Sequence, residues 1–107
     1  MPIRPTTFPQ ERQQARALGQ RLRLARLRRR ISLKEMAARV GVTRITERNL
    51  ESGDPNVSLA ILIRTLSVLG LNRDIDQIAA RDEVGQRLAD MRLSERPHTP
   101  VRPSQKP

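Results

Sequence analysis

The chain has 107 residues with 21 Lys and Arg against 11 Asp and Glu, a formal net charge of +10, which gives room for one small domain and favours a polyanionic partner, nucleic acid first. It has no cysteine, one histidine (His98) and one aromatic residue (Phe8), so disulfides, thiol nucleophiles, Cys/His metal cages and aromatic base-stacking platforms are excluded, and double-stranded DNA is favoured over RNA. No apolar run approaches the roughly 18 residues of a membrane span and no secretory h-region is present, so a cytoplasmic protein without a membrane partner is expected.

Taken in chain order, residues 1–10 carry Pro2, Pro5 and Pro9 and read as a flexible arm. A first helix is predicted from about Glu11 to Arg29, with Leu18, Leu22 and Ala25 on one stripe and Leu24, Leu27 and Ile31 beside it. Its other faces are arginine-rich: Arg12, Arg16, Arg21, Arg23, Arg28, Arg29 and Arg30 form a solvated surface, a DNA-flanking patch or a face for an acidic protein. Residues 1–30 hold a net charge of +8, so the basicity is concentrated at one end. Ser32 and Glu35 form the capping-box spacing that opens a second helix, Met36, Ala37 and Val40 are its buried stripe, and Gly41 ends it. Thr43 caps a third helix reaching Leu50 and Glu51, and Gly53-Asp54-Pro55 breaks it.

Ser58 caps a fourth helix over 59–69, in which Leu59, Leu62, Ile63, Leu66 and Leu69 form one apolar face while Ile61 and Val68 stand on another. A second greasy side in a small domain points to a second subunit. A short helix with Ile75, Ile78 and Ala79 follows, and Asp82 caps a last one in which Val84, Leu88 and Met91 recur at i, i+4 and i+7. Residues 74–93 carry a net charge of −2, unlike the rest of the chain. The last fourteen residues hold Pro97, Pro100, Pro103 and Pro107 and read as disordered; His98 is read there as a solvated tail residue. The fold class is therefore all-α, a compact helix-turn-helix bundle of five to six short helices with flexible Pro-rich tails. Its predicted divisions are the arm 1–10, a domain 11–71, a helical extension 72–93 and the tail 94–107.

The most informative stretch runs from Ile31 to Thr46 and on to Gly53. It places two short helices around a tight turn, with Ala37 small at their crossing, Gly41 at the turn, Val42 plugging it and Thr43 as the next cap. That pattern is a helix-turn-helix signature, whose geometry projects the second helix into a DNA major groove. An ordinary αα-hairpin is the plainer reading of the two helices alone. By residue chemistry, Arg44 is suited to guanine, Asn49 to adenine and Ile45 to a thymine methyl, while Arg48 is placed for a base or a phosphate. The free N–H groups at the start of the second helix, with Ser32 and Lys34, suit a phosphate oxygen. No catalytic triad, phosphate-cradling glycine loop or metal-ligand cluster is present, so no enzyme, cofactor or small-molecule substrate is expected.

Over Leu18 to Leu71 the sequence resembles the phage-repressor-like (XRE-type) helix-turn-helix proteins, through Leu18-Gly19, Arg26, Met36-Ala37, Gly41-Val42-Thr43 and Leu50-Glu51-Ser52-Gly53. Within that family, residues 22–30, Gly53 to Leu59 and Val68 to Leu71 are similar to HipB-like antitoxins. The resemblance implies a dimeric repressor of a palindromic operator that also binds a HipA-type kinase toxin. It places Thr43, Arg44, Ile45, Arg48 and Asn49 at base edges, and Arg26 with Glu51 in a partly buried structural salt bridge. Two positions depart from the family: Glu47 stands where an apolar residue is usual, and Asn49 where Arg is common. Arg44, Arg48 or a first-helix arginine is the expected partner of the Glu47 carboxylate, with Ile45 as an alternative source of the missing apolar contact. Leu33 stands where Gln is frequent. A homodimer is expected to use Ile61, Val68, Val84, Leu88 and Met91. The other readings are a stand-alone phage- or plasmid-type repressor without a toxin, and a helical interaction module that does not read DNA.

Overall fold

The computed structural model describes residues 8–95, so the greater part of the Pro-rich arm and tail, His98 included, lies outside the described residues. Within them the elements are α1 (Pro9–Arg28), α2 (Leu33–Val40), α3 (Arg44–Ser52), α4 (Leu59–Leu69), α5 (Arg73–Gln77) and α6 (Glu83–Glu95), with no strand among the described residues. The fold is all-α, as the periodicity predicts. None of these helices is long and apolar enough to cross a membrane. The chain divides into two units, one through Asp76 and one from Gln77 onward.

In the first unit, α1 packs on α3 and α4, and α2 packs on α3 and α4. Leu22, Ala25, Ile31, Met36, Val40, Leu50, Leu66 and Leu69 form the buried core. α1 begins two residues before the predicted start: Pro9 occupies the first turn, where its missing N–H costs nothing, and the Phe8 N–H donates to Glu11 Oε1 at 3.1 Å. Leu24 and Leu27, assigned by periodicity to the flank of the buried stripe, are exposed. α1 and α3 approach closely at Gly19, where an added Cβ would lie 2.5 Å from the Glu51 carbonyl oxygen and 2.7 Å from that of Leu50. Only a residue without a side chain lets α1 and α3 come so near.

α4 corrects the predicted facing. Its buried residues are Thr65, Leu66 and Leu69, and Ile61 and Val68, expected on an outer second-subunit face, pack against the domain's own core. Leu59 and Ile63, expected inside, are exposed instead, Leu59 by 63%. With Leu, Ile or Val at seven of eleven positions, apolar side chains surround the helix axis, and packing turns Arg64 and Ser67 outward while Thr65 is buried.

Two arginines of the chain act as helix stitches. Arg29 Nε donates to the Leu69 carbonyl at 3.1 Å and its Nη1 to the Ala25 carbonyl at 2.8 Å, joining the ends of α1 and α4. Arg64 Nη2 donates to the Arg39 carbonyl at 3.3 Å, tying α4 to the end of α2. Both satisfy carbonyls that a helix terminus leaves without an intrahelical donor.

In the second unit, Asp82 accepts the Gly85 N–H at 2.9 Å and caps α6. Val84, Leu88 and Met91 are all exposed along that helix.

Candidate nucleic-acid interface

The turn between α2 and α3 is built from local chemistry. Ser32 Oγ accepts the Glu35 N–H at 3.0 Å and starts α2. The reciprocal half of the expected capping box does not form, because Glu35 Oε1 turns outward to Arg39 Nη2 at 2.9 Å. At the far end Gly41 adopts φ +89°, left-handed backbone that side-chain-bearing residues resist, and the Gly41 and Val42 N–H groups both return to the Ala37 carbonyl. Thr43 Oγ1 then accepts the Thr46 N–H at 3.2 Å and lies 3.0 Å from Thr46 Oγ1. Thr43 is thus the N-cap of α3, its hydroxyl committed to the helix end, and Thr46 is a capping partner that sequence reading missed.

The capped start of α3 holds Arg44 and Ile45 toward solvent, with Arg48 exposed one turn on and Asn49 half-buried. Ile45 is 68% exposed, so it supplies no apolar contact to the core in place of Glu47. Ser32 and Lys34 are exposed at the start of α2. The exposed outer side of α3 therefore carries two cations and a branched apolar side chain on one helical face, opposite the buried Glu47, Leu50 and Glu51.

Beneath that face lies a small polar core. Arg26 Nε and Nη2 donate to Glu51 Oε2 and Oε1 at 2.7 and 2.9 Å, and Nη1 donates to the Ile31 carbonyl at 2.9 Å. Only 7% of Arg26 and 8% of Glu51 is exposed, so the pair is buried rather than partly so. The bond to Glu51 holds the Arg26 guanidinium above its ordinary pKa against the opposing effect of burial. The pair fixes the first helix to the end of α3 and to the loop after α1.

Glu47 is 0% exposed, and its hydrogen-bond partner is none of the arginines expected for it. Thr65 Oγ1, on α4, lies 3.2 Å from both carboxylate oxygens and donates to them. Burial pushes the Glu47 carboxyl above its usual range; the Thr65 bond opposes the shift, the Glu51 carboxylate adds to it and the Arg26 charge opposes it. A hydroxyl can serve where a charge was expected because burial, the largest effect on this carboxyl, favours its neutral form. A polar residue on an otherwise apolar buried stripe, Thr65 between Leu62 and Leu66, was the available sequence signal. No buried side-chain nitrogen or oxygen is left without a partner among the described residues.

A helix-turn-helix domain family model matches residues 17–77, more than half of the chain. No curated protein and no solved structure matches the sequence. The matched span covers the second half of α1, the turn and its two helices, α4 and α5. The chain belongs to the helix-turn-helix domain family.

Proposed function

We propose that this protein is a sequence-specific DNA-binding transcriptional repressor, cytoplasmic and without enzymatic activity, that reads duplex DNA through α3. The observation that carries the reading is the outer face of α3: Arg44, Ile45 and Arg48 stand exposed on a helix whose start is capped by Thr43 and whose inner side is bolted down by buried polar contacts. Rigid support under an exposed recognition face is what discrimination between base edges requires. Arg44 and Asn49 supply bidentate hydrogen-bonding groups, Ile45 an apolar contact, Arg48 a cation at their edge, and Thr43 orients the helix start. Ser32 and Lys34 meet the phosphate backbone. The charge of +8 in residues 1–30 supports a polyanionic partner.

One recognition helix spans only a few base pairs, so a homodimer on a palindromic operator accompanies this reading. With Ile61 and Val68 packed inward, the surfaces left for it are Leu59 and Ile63 on α4, and Val84, Leu88 and Met91 on α6. Leu88→Asp and Ile63→Asp are expected to shift a dimer toward monomer in sedimentation. A monomer in the parent protein that neither variant alters removes the dimer from the account.

The narrower reading, an XRE-type, HipB-like antitoxin of a type II toxin-antitoxin operon that binds a HipA-type kinase toxin, is supported by the resemblance of residues 22–30, 53–59 and 68–71. It predicts a kinase-like gene in the same operon and a stable complex of the two products by calorimetry. An isolated gene leaves the stand-alone repressor. The test of DNA reading is a titration of preferred and random duplexes with Arg44→Ala: a loss of about 1–3 kcal/mol on the preferred site alone supports base reading. An equal loss on both assigns Arg44 to phosphate.

A further inference from the structure

Several arginines of the first unit are engaged within the chain. Arg16 donates to Gln13, Arg26 to Glu51, Arg29 to Leu69 and Ala25, Arg39 to Glu35 and Arg64 to the Arg39 carbonyl. Arg21, Arg23, Arg28, Arg30, Arg44, Arg48 and Arg73 have no side-chain hydrogen bond or ion pair among the described residues, and of these Arg23 and Arg48 line one polar groove of about 430 Å³ between α1 and α3. Gln20 and Ser52 share its rim, and the Arg26–Glu51 pair closes its floor. Because Glu51 is already neutralised by Arg26, the field in the groove is set by the two unpaired guanidinium groups.

We infer that this groove is a binding site for one phosphodiester of the DNA backbone, gripped by Arg23 from α1 and Arg48 from α3, with the Gln20 amide as an additional donor. Two like charges brought to one groove without a counterion repel each other, and an anion between them turns that repulsion into attraction. A guanidinium presents a planar fork of donors matched to phosphate oxygens. The Ser52 hydroxyl is spent on the Asn49 carbonyl at 2.9 Å, so the arginines and the amide are the donors left to meet the ligand. The assignment moves Arg48 from base reading to backbone anchoring. It also gives α1 a defined part in DNA binding: one arginine of its cationic surface, rather than the surface as a whole, makes the contact. The inference rests on the DNA-binding reading above.

The test is a set of anisotropy titrations of the full chain on a preferred duplex and on a random duplex, each at several salt concentrations. Arg23→Gln and Arg48→Gln are expected to weaken both duplexes by the same factor, roughly tenfold, and to lower the slope of log affinity against log salt by up to about one. The double variant is expected to lose less than the product of the single losses, because both side chains hold the same phosphate. Arg92→Gln on α6 leaves both affinities unchanged. Arg23 and Arg48 are exposed, so their variants melt with the parent and the losses are not losses of fold. Parent-like affinity and slope in both single variants overturn the site, as does an Arg48→Gln loss confined to the preferred duplex. A parent protein that binds no duplex overturns the DNA-binding reading itself, and the site falls with it.

Discussion

Removing one member of the Arg26–Glu51 pair strands the other in the core, and the cost can be worked from the contacts. Arg26 has three acceptors, two of them on Glu51, and is 7% exposed. Glu51→Leu leaves the guanidinium with the Ile31 carbonyl alone, and breaking a buried pair in this way costs about 3–5 kcal/mol. For a domain of this size each kcal/mol lowers the melting temperature by about 4–8 °C, so a fall of at least about 12 °C is expected by circular dichroism. Arg26→Met leaves Glu51 without its cation and deprives Glu47 of the positive field that opposes its raised pKa. Its cost at neutral pH falls in the same range of about 3–5 kcal/mol. The double variant Arg26→Met/Glu51→Leu replaces the pair with apolar volume and is expected within about 2 kcal/mol of the parent. Single variants within about 1 kcal/mol of the parent, or losses that simply add in the double variant, would show that the two side chains are not coupled in the core.

Three further perturbations follow from the same region. Glu47→Gln keeps an acceptor for Thr65 but removes the buried charge, so it is expected to raise the melting temperature at pH 7. The sign follows from the raised carboxyl: the folded state holds the proton more tightly than the unfolded chain, so the parent has its full stability below the ordinary value of 4.5 and loses it as pH rises through the higher folded value. Melting curves from pH 4 to pH 8 should show that decline in the parent and a flatter profile in Glu47→Gln; parallel profiles would contradict it. Thr65→Val deletes the only hydrogen-bond donor described for the Glu47 carboxylate and is expected to cost about 1–3 kcal/mol in urea unfolding at neutral pH; a neutral outcome would show that the bond carries no weight. Gly19→Ala places a methyl 2.5 Å from the Glu51 carbonyl oxygen, forcing α1 and α3 apart for about 1–3 kcal/mol, and unchanged denaturation would mean that the helices separate freely.

The parts of the fold legible in the sequence are those encoded by neighbours along the chain. Ser32, Gly41, Thr43 and Ser58 each act within three or four residues of themselves, and they mark the starts and stops of α2, α3 and α4 where the structure has them. The rotation of α4 was not legible, because its leucines, isoleucines and valine offer several equivalent apolar faces and the choice among them is made by packing. The partner of Glu47 was hidden for a related reason. Charge complementarity pointed to the nearest arginines, whereas tertiary structure brought Thr65 from 18 residues away. Arg29 read as part of the arginine-rich surface because a carbonyl at a distant helix end leaves no trace in local sequence. The groove between Arg23 and Arg48 is likewise a product of the α1–α3 crossing that Gly19 permits.

Selection from a random duplex library decides whether the outer face of α3 reads base sequence. The parent protein is expected to enrich a two-fold symmetric site with half-sites about one helical turn apart. Arg44→Ala is expected to enrich the same site with preference lost at one base pair in each half. Recovery of unselected sequence by the parent, or an unchanged motif from the Arg44→Ala variant, would contradict the account.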